Sequence, residues 1–228
     1  MAKPPEPVPS RRWYDDACGT AHALELLGER WALLIVRELV FGPRRFVDLR
    51  AGLPGISAPV LTERLKGLEA SGIVRRYVLA PPANVQVYEL TPWGYEAEPI
   101  LQTTGRWAAR SPSHDPTLPL SAASIMESFK TMLSVERAAG LNARIGFRFG
   151  REHFVGRLAK GAIDIARGET AGVDVVFVCG PMVLASLVYG GRTIADAESA
   201  GELEVTGDRK LAQKFVTLFV LPPKVQLG

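Results

Sequence analysis

Two cysteines, three histidines and no apolar run long enough for a bilayer set the first limits on this chain of 228 residues. Cys18 and Cys179 cannot build a disulfide framework. Cys179 lies in the apolar run VDVVFVCG and reads as an inert buried thiol. His22, His114 and His153 stand far apart, in no metal-ligand spacing with Cys or acids, so no metal is expected. The apolar runs are broken by Arg, Gly or Pro, which argues against a transmembrane helix and a membrane partner. MAKPPEPVPSRR lacks the apolar core of a signal peptide, so a cytoplasmic protein is expected. Catalytic signatures are also missing. GPRRFVDLRAGLPG has neither the P-loop lysine nor the dinucleotide fingerprint, and no Gly-x-Ser-x-Gly elbow occurs. Glu152 and His153 are adjacent, and neighbours on a strand point to opposite faces, which places them poorly for joint acid/base work. The expectation is a non-enzyme without cofactors.

What the chain does have is enough apolar material for cores, at 47% of residues, and a mild net charge of +3. Four prolines in the first ten residues suggest a loose arm over 1–14. Helical spacing runs from Asp15 to Leu27, and RWALLIVRELVFG reads as a buried helix stopped by Gly42 and Pro43. RRFVDLRAGL is a short helix with Phe46 and Leu49 on one side, and GLPG a turn. Two strands, Ile73 to Leu79 and Val85 to Leu90, flank APPAN as a hairpin. Thr91 caps a helix expected to run from Pro92 to about Arg110. Three prolines in SPSHDPTLPL mark 111–120 as a linker. Beyond it the pattern changes. A helix over 122–139 precedes strands in ARIGFRF, HFVGRLA, AIDIA and VDVVFVC. Helices over 181–189 and 193–200, a strand over 202–206 and a last helix over 208–221 follow. The chain is therefore read as α+β.

The stretch GISAPVLTERLKGLEASGIVRR holds the most information. Ser57 is a good N-cap and Pro59 suits a first turn. With Leu61 inward, Leu65 and Leu68 share its face, while Pro59, Thr62, Glu63 and Lys66 share the other. From Arg44 to Arg76 seven basic side chains meet three acidic ones. Positive charge thus gathers around a displayed helix and hairpin, as phosphate contact requires. The competing reading is a solvated face in a helical bundle.

Cys18, LGERWALLIVREL, GPRRFVDLRAGLPGISAPVLTERLKGLEASGIVRR, VYELTPWG and Trp107 together resemble the HxlR-type winged-helix regulators over about 15–109. The resemblance implies a winged helix-turn-helix domain over 15–110, working as a homodimer on double-stranded, pseudo-palindromic operator DNA. Helices near 15–27 and 92–110 would pair the subunits. Helix 57–70 would enter the major groove, with Ser57, Ala58, Pro59, Thr62, Glu63 and Lys66 at the bases and the hairpin as wing. Arg44, Arg45, Arg75 and Arg76 suit phosphates, and Arg64 lies nearer the buried side as a brace. Ala58-Pro59 departs from relatives with longer polar residues and cannot make bidentate base contacts. Cys18 matches a cysteine that some relatives use as a redox sensor. Asp15 and Asp16 are expected to raise its pKa, a helix-start position to lower it, and the favoured reading is a small apolar residue at the dimer seam.

The end of the chain, LVYGGRTIADAESAGELEVTGDRKLAQKFVTLF, resembles a sterol-carrier-protein-like domain, placed over 121–228. That resemblance implies an apolar tunnel and a hydrophobic small-molecule effector. Phe147, Phe149, Phe154, Val176, Val178, Met182, Phe215 and Phe219 are candidates to line it, although the same residues also suit a plain core. The function expected is a sequence-specific DNA-binding transcriptional regulator, a homodimeric repressor. The alternatives are a lipid carrier with a vestigial winged helix and a redox regulator acting through Cys18.

Overall fold

The computed structural model describes residues 14–226. All of the arm expected over 1–14, apart from Tyr14, lies outside them. The N-terminal half begins with α1 (Gly19–Leu27), α2 (Ala32–Leu39), α3 (Phe46–Ala51) and α4 (Ala58–Ala70). A hairpin, β1 (Val74–Val78) and β2 (Gln86–Leu90), is followed by α5 (Pro92–Tyr95) and α6 (Glu98–Ala108). This is a winged helix-turn-helix. Ile35, Val36 and Leu39 of α2, Leu49 of α3, and Leu61, Leu65 and Leu68 of α4 close one core with Val74, Tyr88 and Leu90 of the hairpin. The backbone of Arg44, between α2 and α3, pairs with Tyr88 through two 2.8 Å hydrogen bonds, so the wing gains a third short rung.

Residues 111–121 carry no helix or strand. The second half then follows: α7 (Ala122–Met132), α8 (Val135–Ala138), β3 (Ala143–Phe149), β4 (Glu152–Ala159), β5 (Ala162–Arg167), β6 (Val175–Cys179), α9 (Pro181–Tyr189), α10 (Ile194–Ser199), β7 (Leu203–Gly207) and α11 (Arg209–Phe215). The sheet order is β5-β4-β3-β6-β7. Only β3 and β6 run parallel; the other pairs are antiparallel. Odd-numbered Ile145, Phe147 and Phe149 of β3 and Val175 and Phe177 of β6 share one face, as the two-residue period of a strand requires. Their core includes Phe129 of α7, Leu184 of α9 and Phe215 of α11. Among the described residues no helix is long and apolar enough to cross a membrane.

Four expected helices are shorter or broken. The first begins at Gly19 rather than Asp15, with Cys18 as its N-cap. The helix expected over 92–110 divides at Glu96 and Ala97 into α5 and α6. Gly94 of α5 lies so close to β1 that a Cβ there would come within 2.1 Å of the Ile73 carbonyl. The helix expected over 122–139 breaks at Leu133, and the one over 208–221 stops at Phe215. Both breaks have one cause. Leu133 forms a β-bridge with Phe219, with Ser134 N donating to Leu218 O and Val220 N to Met132 O. Extended backbone at both places satisfies groups that helix ends leave open.

The two halves are pressed together. Phe41, at the end of α2, packs edge-on against Phe154 of β4 with centroids 5.4 Å apart, a geometry that adds about 0.5–1.5 kcal/mol to the burial itself. Ser121 Oγ donates to Glu38 Oε1 at 2.6 Å. Lys130 of α7 pairs with Glu98 of α6. Beside that pair Glu127 is buried, and neither of its carboxyl oxygens has a hydrogen bond of good geometry among the described residues. Burial, then the charge of Glu98, push its pKa up to about 7.

A carboxyl whose pKa is higher folded than unfolded stabilises fully below its unfolded value. It loses that contribution as pH rises through the folded value. Stability should therefore decline between pH 4.5 and about 7. Urea denaturation should show this decline in the wild type. Glu127→Gln, which stays neutral, should flatten it and gain most on the wild type above pH 7.

Candidate nucleic-acid interface

Helix α4 is placed by its own sequence. Ser57 Oγ accepts from Val60 N at 3.4 Å and caps the first turn. Leu61, Leu65 and Leu68 are buried, as the period predicts, and Pro59, Thr62, Glu63 and Lys66 are exposed. Ala58 is half-buried. Arg64 braces the helix, pairing with Glu29 and donating from Nε to Arg30 O at 3.2 Å. The opening residues of α4 thus carry little that could hydrogen-bond a base. Thr62 Oγ1 donates to Ala58 O at 2.9 Å. That leaves its oxygen as an acceptor and its methyl free for apolar contact. Glu63 can accept from a cytosine amino group, and Lys66 can donate to guanine or phosphate.

The arginines expected at phosphates divide. Arg44 is not on the surface. It is 9% exposed, ion-paired to Glu152 of the second half, and Nη2 donates to Asp48 O at 3.3 Å. That is a correction, and its reason is a carboxylate 108 residues away in sequence. Arg45 is exposed and bidentate with Asp48, at 2.7 and 3.0 Å. This contact holds the Asp48 carboxyl below its ordinary pKa. Arg75 pairs across the hairpin with Glu89 at 2.9 Å, while Arg76 turns to Glu69 at the end of α4 at 3.3 Å. The two wing arginines therefore act on opposite faces. The wing tip, residues 79–85, contains no charged side chain. Lys66 and Arg50 make no ion pair among the described residues. Arg50, exposed at the end of α3 just before the turn, is a cation that the helix-face argument for α4 passes over.

Cys18 is exposed at the start of α1. Backbone hydrogen bonds from Thr20 and Ala21 hold its thiol below the ordinary value. The expected rise from Asp15 and Asp16 is corrected: the helix start governs. Cys179, by contrast, is only half-buried, and burial pushes its thiol up to about 12, which suits an unreactive group.

The eight residues expected to line a tunnel are core or lie off it. Phe147, Phe154 and Phe215 are fully buried, and Phe149 and Phe219 nearly so. Ring centroids of Phe147 and Phe215 lie 5.6 Å apart, of Phe215 and Phe219 5.0 Å, and of Phe149 and Phe154 6.2 Å. These rings pack against one another in the interior, and Phe149 also borders an open cleft. Val176 and Val178 alternate with Phe177 and so face the other side of the sheet, and Met182 is half-buried. No group of three or more metal-ligating side chains occurs among the described residues.

Known proteins similar in sequence to the first half of the chain are helix-turn-helix regulators. The model of the HxlR-like helix-turn-helix family matches residues 26–115. The HTH-type transcriptional regulator YodB of Bacillus subtilis (strain 168) is 41% identical over 86 residues, 38% of this chain and 77% of that protein. YvaP of the same organism, named an uncharacterized HTH-type transcriptional regulator, is 44% identical over 87 residues, 38% of this chain and 80% of that protein. The solved reduced form of YodB is 36% identical, with a TM-score of 0.39 over 44% of this chain and 100% of that one. The family match ends at residue 115 and therefore concerns the winged helix alone.

Arg50, exposed and without an ion pair among the described residues, suits a phosphate, so Arg50→Ala should weaken binding to all duplexes alike. It should also lower the slope of log affinity against log salt by about one, the signature of a single phosphate no longer neutralised. Fluorescence anisotropy across a salt series measures both.

Proposed function

The chain belongs to the HxlR-like helix-turn-helix family and is a DNA-binding transcriptional regulator, and on that basis we propose a homodimeric repressor whose two α4 helices read the halves of a pseudo-palindromic operator. The observation that carries this reading is α4 itself: one face closes the core while Thr62, Glu63 and Lys66 on the other are exposed. Bases are read by Thr62, Glu63 and Lys66, and the helix start, Ser57, Ala58 and Pro59, contributes shape more than hydrogen bonds. Arg45, Arg75 and Arg76 reach phosphates by exchanging their intrachain carboxylates for DNA.

Dimerisation through α1 and α6 is supported by apolar side chains that the single chain leaves in water. Leu24 of α1 is 50% exposed, and Trp107 of α6 is 76% exposed, with Ile100 on the same helix at 42%. A two-fold axis there sets the α4 helices about 34–36 Å apart, one turn of DNA. The second half, read as sterol-carrier-like in plan, packs on α6 through α7 and so bears on this spacing. The filled aromatic interior supports a regulatory body over a lipid carrier.

Sedimentation velocity and anisotropy on genome-selected DNA test the reading together. The wild type should be a dimer that binds its operator at least ~1000-fold more tightly than a random duplex at physiological salt. Trp107→Glu, at an exposed position, should give a folded monomer that has lost most of this discrimination. Equal, steeply salt-dependent binding to both duplexes would reduce the chain to a basic patch.

A second reading is favoured by Cys18, whose exposed thiol sits below its ordinary pKa at a helix start. A thiol-based response adds a switch to the same regulator. Cys18→Ser should then remove any peroxide or quinone effect on operator binding while leaving basal affinity unchanged. A response that survives the substitution excludes Cys18 as its sensor.

A further inference from the structure

Where the two halves meet, a cleft of about 810 Å³ opens between the start of α3 and the sheet. Four arginines line it, Arg44, Arg45, Arg151 and Arg167, against two carboxylates, Asp48 and Glu152. The arrangement leaves positive charge and donors unused. Glu152 Oε1 is shared by Arg44 and by Arg167 Nη1, the latter at 3.0 Å. Nε of Arg44, and both Nε and Nη2 of Arg167, are buried without a hydrogen-bond partner among the described residues. Buried donors left unpaired are costly, more so on a charged group. Burial accordingly depresses the pKa of both guanidinium groups.

Three further features point the same way. Gly180 and Pro181 at the start of α9 form part of the wall, and this nine-residue helix has no side-chain cap. Pro181 has no N–H, so what this helix start turns toward an anion is the partial positive charge of its dipole. Arg151, in the β3–β4 turn, makes no ion pair among the described residues. Phe149, Ala122 and Pro43 supply apolar wall between the charged groups. The volume falls in the range of small-molecule sites, and a mostly apolar wall with a few convergent polar groups is their usual chemistry.

We propose that this cleft is the regulator's effector site and that it takes a small organic anion, a carboxylate or phosphate head on a compact apolar body. The head sits between Arg167, Arg44 and the start of α9, and a turn of either guanidinium brings onto it the N–H groups that are buried and unpaired in the free protein. Arg151 closes over it from the turn. The route to DNA is short. The side chain of Arg44 lies in the cleft while its backbone carries the rung to Tyr88 of the wing. The effector role rests on the DNA-binding reading above; the binding site does not.

Calorimetry on the full chain without DNA tests the site. The probes are benzoate, octanoate and phenyl phosphate, with benzyl alcohol as the neutral control. At least one anion should bind and the alcohol should not; the carboxylate and phosphate arms decide which head the site prefers. Arg167→Gln should weaken binding about ten- to a hundredfold, the loss expected for a charge-assisted hydrogen bond. Arg151→Ala, at a side chain with no ion pair among the described residues, should weaken it about two- to fivefold and keeps the test open should the first variant not fold. No anion binding, equal binding of the alcohol, or unchanged binding by both variants would overturn the site. Operator affinity is then measured at a saturating concentration of the bound anion. A change supports the effector role, and unchanged affinity overturns it while the site stands. Failure to prefer operator over random DNA would count against the DNA reading alone.

Discussion

Arg44 ties the molecule together. Its backbone hydrogen-bonds the wing at Tyr88, its Nη2 reaches the Asp48 carbonyl of α3, and its Nη1 meets Glu152 of β4. A guanidinium so deeply buried is tolerable only with a carboxylate beside it, since an unpaired buried charge costs several kcal/mol. That requirement fixes β4 against the start of α3. Phe41 against Phe154 seals the apolar side of the same joint. The second half is therefore held on the DNA-reading half at the element that leads into the recognition helix.

This constraint shapes what regulation can look like. Packed joints have a few discrete arrangements and do not deform continuously. A charge entering beside Arg44 and Arg167 changes what Glu152 must neutralise, and Arg44 is itself bonded to α3 and the wing. A second joint lies along α6, where Glu98 pairs with Lys130 and Glu127 sits buried behind them. α6 also carries the exposed Trp107, so a shift at this joint reaches the surface proposed to pair two subunits. In the proposed dimer both joints bear on the same quantity, the separation of two α4 helices on DNA.

Local signals were legible in the sequence wherever one element decides them. The leucine spacing and Ser57 cap define α4, and the alternation of residues 73–90 defines the hairpin. Alternation also separates Arg75 from Arg76. What was not legible depends on distant partners. Nothing around Arg44 announces Glu152, so a basic pair beside a helix-turn-helix reads as a phosphate clamp. Helices over 122–139 and 208–221 have good local patterns, and both yield to the bridge between Leu133 and Phe219. Phenylalanines spaced for a tunnel are equally spaced for a core, and only ring-to-ring distances separate the two. The cleft is the furthest from the sequence, since its walls come from five separated stretches of chain.

Which half of the molecule faces the bases is decided by site-specific photo-cross-linking on operator DNA. A photoreactive side chain replaces Glu63 on the exposed face of α4, and in a second protein it replaces Arg157 on the exposed face of β4. Recognition through α4 predicts cross-links from position 63 to bases within each half-site and none from position 157. Cross-links from position 157, with none from 63, would contradict it and place the DNA on the other half of the molecule.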